Sequence, residues 1–444
     1  DFVGRATLQW EPSSDFKANL KATYTRNTND GAIGTADIYC GANGRADEVV
    51  LLGGTIAVPS NADCNPFNKF VTTSDPSATA TGKFPDGSPG ANGRYPGHPF
   101  GETSVFFTRL LVNANLSDTT TGYLSLNAVD LDSYSYVGVG PAFVTPLGQF
   151  LGSTLPPALA AVNTPGSAQG FGSSDPLNRT KQFTQELRFV SNFSGPLNFS
   201  LGAFYEKRTI DFNTSQQAVN ISIIAPDPVT GNTYDYFKKH RTKTDAYSVF
   251  GSGTYEITEQ LELTAGVRWT REEKVNTITV PYVHTFLSSG PAFIDSGFFS
   301  GPIPFKDTNF SPEVTLRYKV SPDFNVYGAF KTGYKSGGID NSALPSSNLL
   351  GLDNPATRDA VAAGLIFKSE TSRGGEIGFK SQLADRTITL NATAYYYVFN
   401  NLQVQNFDAT TIQFVTTNAG QLTTKGIDVD FSWRTPIEGL RFSG

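Results

Sequence analysis

Residues whose type and spacing could do chemistry are few in this chain. The two cysteines, Cys40 and Cys64, fall in one polar stretch rich in Gly and Asn. In an oxidising compartment they would close that stretch as a disulfide; otherwise they are two unpaired thiols. Their shared loop and the lack of any competing cysteine favour the disulfide. The histidines, His98, His240 and His284, stand at no metal-ligand spacing, and two cysteines alone would not complete a metal site. Glu272 and Glu273 are adjacent, so on a strand they point to opposite faces and do not act together on one substrate. Gly138 and Gly140 resemble part of a dinucleotide fingerprint, but the pattern is incomplete and turn chemistry explains it better. There is no P-loop, no HExxH and no nucleophile elbow. The expectation is a protein that is not an enzyme, with no cofactor and no metal.

The elements that carry these residues read as strands. In Tyr247, Val249, Gly251, Gly253 and Tyr255 the odd positions make one face, and Leu261, Leu263, Ala265, Val267 and Trp269 continue it after a turn at Glu256–Gln260. Glu262, Thr264, Gly266 and Arg268 lie between them. Period two with one apolar face is the strand signature. The pattern returns at Val314, Leu316, Tyr318 and Val320, then at Phe324, Val326, Gly328 and Phe330, and again from Ile377 to Val398. It also opens the chain at Gly4, Ala6, Leu8 and Trp10, and it closes it at Ile427, Val429, Phe431 and Trp433.

Connections alternate in length. Tight turns lie near Ser13, Thr119, Gly195, Thr258, Pro322, Asp385 and Pro436. Long polar loops are expected at roughly 28–103, 132–180, 211–243, 272–308, 336–373 and 405–414. Short turns at one end and long loops at the other match an outer-membrane barrel, periplasmic and extracellular respectively. No apolar run reaches the ~18 residues of a membrane helix, and a barrel is the other structure that pairs every backbone group inside a bilayer. Charged residues at 17% and a mean hydropathy of -0.23 agree with strands that are apolar at alternate positions only. Phe 34, Tyr 18 and Gly 43 supply strand formers and turns. A formal net charge of -6 gives no reason to expect a nucleic-acid partner.

Trp10, Tyr24, Tyr205, Tyr255, Trp269, Tyr318 and Trp433 sit near strand ends on the apolar face, as aromatic girdles do. The opposite face carries Arg5, Lys17, Lys21, Arg188, Glu262, Arg268, Glu313, Arg317, Lys331, Glu376, Lys380, Asp428 and Asp430. In a barrel these charges point into a wide lumen, wet or filled by a polar domain. A solvated sheet face would carry the same types; the loop asymmetry separates the two. The fold class expected is all-β, a transmembrane antiparallel β-barrel.

Several segments resemble the TonB-dependent outer-membrane receptors, in the sphingomonad-type branch. They are Thr184–Ser194 with Pro196–Tyr205, Asp245–Glu272, Asn309–Gly338, Gly375–Tyr397 and Asn418–Trp433. YGAFKTGYKSGG, ending at Gly338, and NAGQLTTKGID, starting at Asn418, are the most specific. The resemblance implies a 22-stranded barrel around an N-terminal plug, of which residues 1–444 would supply about 14 strands. Asp1 is no initiator methionine and Gly444 falls where a strand is beginning, so the plug, the TonB box and the first and last strands are expected to lie outside this chain. The implied function is active uptake of a scarce ligand, most often a ferric siderophore, in the bacterial outer membrane. The implied partners are outer-membrane lipid and the TonB–ExbB–ExbD complex, reached through the plug. The alternative is a passive porin or sugar-specific channel. Tyr234, Tyr236, Phe237, His240, Phe293, Phe298 and Phe299 crowd the expected loops and would suit either a siderophore or a glycan. Local packing explains each of them better, so no ligand-binding residue is assigned.

Overall fold

The computed structural model describes residues 1–29, 49–51, 56–58, 100–139, 171–219, 229, 236–283, 298–341, 364–408 and 413–444. Cys40, Cys64, Tyr234 and Phe293 lie outside them. The described elements are β1 (Phe2–Ser13), β2 (Phe16–Asn29), β3 (Val49–Leu51), β4 (Ile56–Val58), β5 (Phe100–Ser117) and β6 (Thr120–Val139). Next come β7 (Phe171–Ser191), β8 (Leu197–Val219), β9 (Tyr236–Glu256), β10 (Leu261–Val283), β11 (Phe298–Ser321) and β12 (Phe324–Lys335). The last are β13 (Gly338–Ile339), β14 (Ile366–Phe367), β15 (Glu370–Leu383), β16 (Ile388–Asp408), β17 (Gln413–Arg434) and β18 (Arg441–Ser443). Fourteen of them form one antiparallel sheet in which each strand lies beside its neighbours in sequence, and β3–β4 and β13–β14 are separate two-stranded pairs.

Register follows the alternating pattern, because a one-residue slip would turn every apolar side chain to the polar face. One continuous row runs Tyr255, Leu263, Leu316, Gly328, Ile377, Ala394 and Ile427 across seven strands. This face is open: Val267 is 47% exposed, Ile377 68% and Ile427 73%. Water would not tolerate so continuous an apolar surface, but lipid does. Tyr205 and Tyr247 meet, tilted, at 5.2 Å near one edge of the belt, and Trp10 and Phe16 meet at 5.4 Å near the other. Along β9 the belt runs from Tyr247 to Tyr255, nine residues (255 − 247 + 1). Those nine residues match the ~9–11 with which a tilted strand crosses the bilayer.

The other face is polar and internally paired. Arg317 binds Glu262, and Lys331 donates to Glu376 at 2.9 Å. The Arg268 guanidinium stacks 5.5 Å from the Phe204 ring and 5.2 Å from the Phe250 ring. Gly202 makes room for that stack, since a Cβ there would stand 2.4 Å from Phe250 Cζ. These contacts engage Glu262, Arg268, Arg317, Lys331 and Glu376 among the lumenal charges expected from the sequence.

The expected loop boundaries need correction. β8 runs on to Val219, β9 begins at Tyr236, β10 reaches Val283 and β11 begins at Phe298, all inside stretches expected to be loop. β6, β7 and β16 also extend into such stretches. The reason is physical. Apolar alternation stops where the lipid stops, at Arg271 after Trp269, but the backbone ladder needs no apolar face to continue. β11 is 24 residues long, about 80 Å at ~3.3 Å per residue, whereas a tilted strand crosses the bilayer in ~9–11 residues. The wall therefore rises well beyond the membrane on the long-loop side, and the buried hydrophobic residues Phe237, Ile278, Val280, Tyr282 and Ile303 gather there.

Candidate functional site

Above the belt the wall opens between β11 and β12. These strands pair only up to Glu313 and Lys331, while β11 stays on β10 as far as Phe298. Freed from β11, the chain after Lys335 turns inward as Ser336-Gly337-Gly338-Ile339-Asp340-Asn341. Two consecutive glycines allow this close approach. A Cβ on Gly337 would stand 2.4 Å from the Phe367 carbonyl oxygen and 2.8 Å from Phe305 Cζ.

The inward segment is held as a strap from both sides. On one side Lys274 Nζ of β10 donates to the Gly337 carbonyl at 2.6 Å and to Ser336 Oγ at 3.1 Å, and also pairs with Glu272 at 3.1 Å. Lys238 Nζ of β9 donates to the Asn341 carbonyl at 2.6 Å. On the other side Asp340 accepts from the Thr416 backbone N–H at 2.8 Å and the Thr416 hydroxyl at 3.2 Å, both on β17. Gln403 Nε2 of β16 donates to the Ser336 carbonyl at 3.0 Å. Between them β13 pairs with β14, and the Gly337 N–H donates to Ser369 Oγ at 2.8 Å. Ser369 and Tyr334 both donate to Asp307, the tyrosine at 3.0 Å.

This network is dry. Lys238, His240, Asn276 and Asp340 are each 1% exposed. All four stand above the lipid belt. Burial pulls the Lys238 ammonium down to about 8, with the Asp340 carboxylate opposing that shift. Burial pushes His240 down to about 4, the neighbouring Lys238 charge adds to it, and Asn276 and the Asn341 backbone partly offset it. The imidazole is therefore neutral near pH 7, with Nε2 against Asn276 Oδ1, which also accepts from Thr242 Oγ1 at 3.1 Å. Asn418 closes the far end: its Oδ1 accepts from the Lys368 N–H at 2.6 Å, and its Nδ2 donates to the Lys368 and Asn401 carbonyls at 2.9 Å each. The arrangement offers fixed donors and acceptors around a partition in the lumen. Among the described residues no group of three or more His, Cys, Asp or Glu side chains is placed to hold a metal ion.

Residues 52–444 match the family model described as TonB dependent receptor-like, beta-barrel. The chain belongs to this family. TonB-dependent receptor barrels are proteins of the bacterial outer membrane and transport receptors rather than enzymes, which agrees with the lipid-facing belt. Comparison with curated proteins finds no match. Among solved structures, the ferric yersiniabactin uptake receptor FyuA from Yersinia pestis aligns with a TM-score of 0.60 at 14% identity, over 98% of this chain and 49% of that one. The siderophore receptor PiuA from Acinetobacter baumannii aligns with a TM-score of 0.58 at 14% identity, over 97% and 53%. The ferric-catecholate import receptor Fiu from E. coli K12 gives 0.55 at 15% identity, over 98% and 55%. The chain spans about half the length of these receptors, and the likeness is one of fold.

The two stretches that carried the sequence resemblance most specifically, YGAFKTGYKSGG and NAGQLTTKGID, meet at this strap. Ser336–Gly338 form its start, directly after Tyr334 and Lys335 of β12, while Asn418 grips Lys368, beside β14. Of the aromatic residues expected in loops, Phe237 is instead a β9 residue buried with Leu177 and Tyr282, and His240 is a β9 residue buried beside Asn276. Tyr236 also belongs to β9, and Phe298 and Phe299 to β11. Lys238, Lys274, Asn276 and Asp340 had no signature of their own in the sequence. Their only signal was the run of glycines that places the strap.

Proposed function

We propose that this chain is the barrel wall of an outer-membrane receptor that imports a scarce ligand, a ferric siderophore, with energy from TonB. The observation that carries the proposal is the family match over residues 52–444. The wall geometry supports it. A lumen lined with paired charges suits a polar ligand, and the strap narrows that lumen on the side where ligand arrives. Vectorial movement needs an element whose two states differ in ligand affinity. In this reading that element is a plug domain encoded outside residues 1–444, which would also carry the TonB box contacted by TonB–ExbB–ExbD. The lumenal charges and the strap then act in binding and passage, with no catalytic step.

Determining the sequence encoded upstream of Asp1 tests this directly. A signal peptide, a TonB box and a plug of roughly 100–150 residues, an ordinary domain size, would support it. A signal peptide joined straight to further barrel strands would favour the passive channel instead.

A further inference from the structure

Outside the barrel, at the top of the lipid belt, the wall carries a groove of about 360 Å3. The register fixes which way it faces. Phe106 lies opposite Asp130 and Thr108 opposite Ala128; Ala128 lies opposite Phe183, and Asp130 opposite Lys181; Phe183 lies opposite Lys207. Phe183 shares one face of β7 with the exposed Leu187 and Phe189, so the groove opens on the lipid side. Its floor is made of the small residues Thr108 and Ala128. Its flanks are Phe106, 49% exposed, and Phe183, 39% exposed.

Cations stand just beyond the rings. Lys181 reaches Asp130 at 3.5 Å, a loose contact between side chains 69% and 50% exposed. Lys207 is exposed and, among the described residues, has no ion pair. Asp245, opposite it on β9, is engaged by the Tyr205 hydroxyl at 2.9 Å. Lys243, also exposed, lies opposite Thr209, another residue of the groove. Lysine stems at a membrane surface lie along apolar material and place their ammonium groups among the headgroups. An apolar groove that ends beneath exposed ammonium groups, of which, among the described residues, only Lys181 has a carboxylate within ion-pair reach, complements one kind of molecule, a lipid with an anionic head.

We infer that this groove holds an outer-leaflet lipid with a phosphorylated headgroup. An acyl chain lies over Thr108 and Ala128 between the rings of Phe106 and Phe183. The phosphate sits between Lys181 and Lys207, with Lys243 alongside. The anionic headgroup supplies Lys207 and Lys243 with a counter-charge and adds to the one that Asp130 gives Lys181.

The test uses the complete protein in nanodiscs of neutral phosphatidylcholine, to which phosphorylated lipid A or its dephosphorylated form is added. Bound lipid is counted by native mass spectrometry. Each lysine near a charged membrane surface is worth about a fivefold change in binding. The variant Lys181→Gln/Lys207→Gln should therefore retain the phosphorylated lipid about 25-fold less well. Ala128→Trp, which fills the groove and leaves the charges intact, should also lower retention. Lys306→Gln, an exterior cation on β11 away from the groove, should leave it unchanged. Millimolar inorganic phosphate should not displace the lipid. Equal retention of the dephosphorylated lipid, or of either form by the double variant, would overturn the proposal. Full displacement by free phosphate would overturn it too, as the mark of a plain anion site. Resistance to unfolding in cold detergent shows that each variant has assembled.

Discussion

Replacing Gly337 by valine would set a Cβ 2.4 Å from the Phe367 carbonyl oxygen and 2.8 Å from both Phe305 Cζ and the Ser369 nitrogen. The obstruction is backbone and ring on both sides, so the strap itself must move. Overpacking of this kind costs about 1–3 kcal/mol. Movement also loosens the Gly337 N–H bond to Ser369 Oγ and the Lys274 bond to the Gly337 carbonyl. Those are worth about 1 kcal/mol and about 1.5–3 kcal/mol respectively, the second being larger because the donor is charged. Taken together, local opening of the strap becomes easier by about 3 kcal/mol or more, which is about two powers of ten. The lipid belt is untouched, so the barrel should still assemble. The assay is amide hydrogen exchange of the complete protein in detergent. The reporter is the Asp340 N–H, which donates to the Leu365 carbonyl at 2.9 Å. Exchange there should quicken by about a hundredfold, while the Leu263 and Leu316 amides in the belt stay unchanged. An unchanged Asp340 rate in an assembled Gly337→Val protein would refute the strap as described.

Three other outcomes follow from the same structure. Val267, 47% exposed on the lipid face, should not accept arginine: a cost of about 2–4 kcal/mol at mid-membrane should impair assembly, and normal assembly would contradict the lipid-facing assignment. His240, held at about 4 in the fold against an ordinary 6.5, binds fewer protons there than in the opened state. Its contribution is therefore complete above pH 6.5 and is lost as pH falls towards 4, up to about 3 kcal/mol over that 2.5-unit window (6.5 − 4). Exchange at Asp340 should quicken on acidification in the native protein and much less in His240→Gln; an identical pH profile in both would remove His240 from the network. Cys40 and Cys64 should form a disulfide, so a thiol reagent should label neither without reductant and both with it; labelling of both beforehand would exclude the bond.

The lipid-spanning part of the fold was the most legible in the sequence. Lipid on one face and charge on the other impose period two, and Leu263, Leu316 and Ile377 obey it in the register observed. The tight turns at Thr258, Pro322 and Asp385 were legible as well. Ala384, Asp385 and Arg386 adopt φ of 51°, 52° and 63°, a left-handed turn that interrupts the ladder where the sequence turns polar. The extension of β8–β11 beyond the membrane left no such mark, because above the lipid both faces of a strand carry polar residues and the pattern of Arg271–Lys274 fits a loop as well as a ladder. The strap was invisible for a different reason. Lys238, Lys274 and Asp340 are brought together from β9, β10 and the segment after β12, and no spacing in a single stretch encodes a meeting of distant strands. Only Gly337 and Gly338 hinted at it, through the space they leave.

Uptake in living cells tests the central claim most directly. Cells that lack the gene, and the same cells carrying the complete gene, are given radioactive iron as a panel of siderophore complexes, with and without a protonophore that collapses the inner-membrane proton gradient. The account predicts gene-dependent uptake of at least one complex that saturates at low concentration and stops when the gradient is lost. Gene-dependent uptake that rises linearly with concentration and ignores the protonophore would contradict it and mark the barrel as a passive channel.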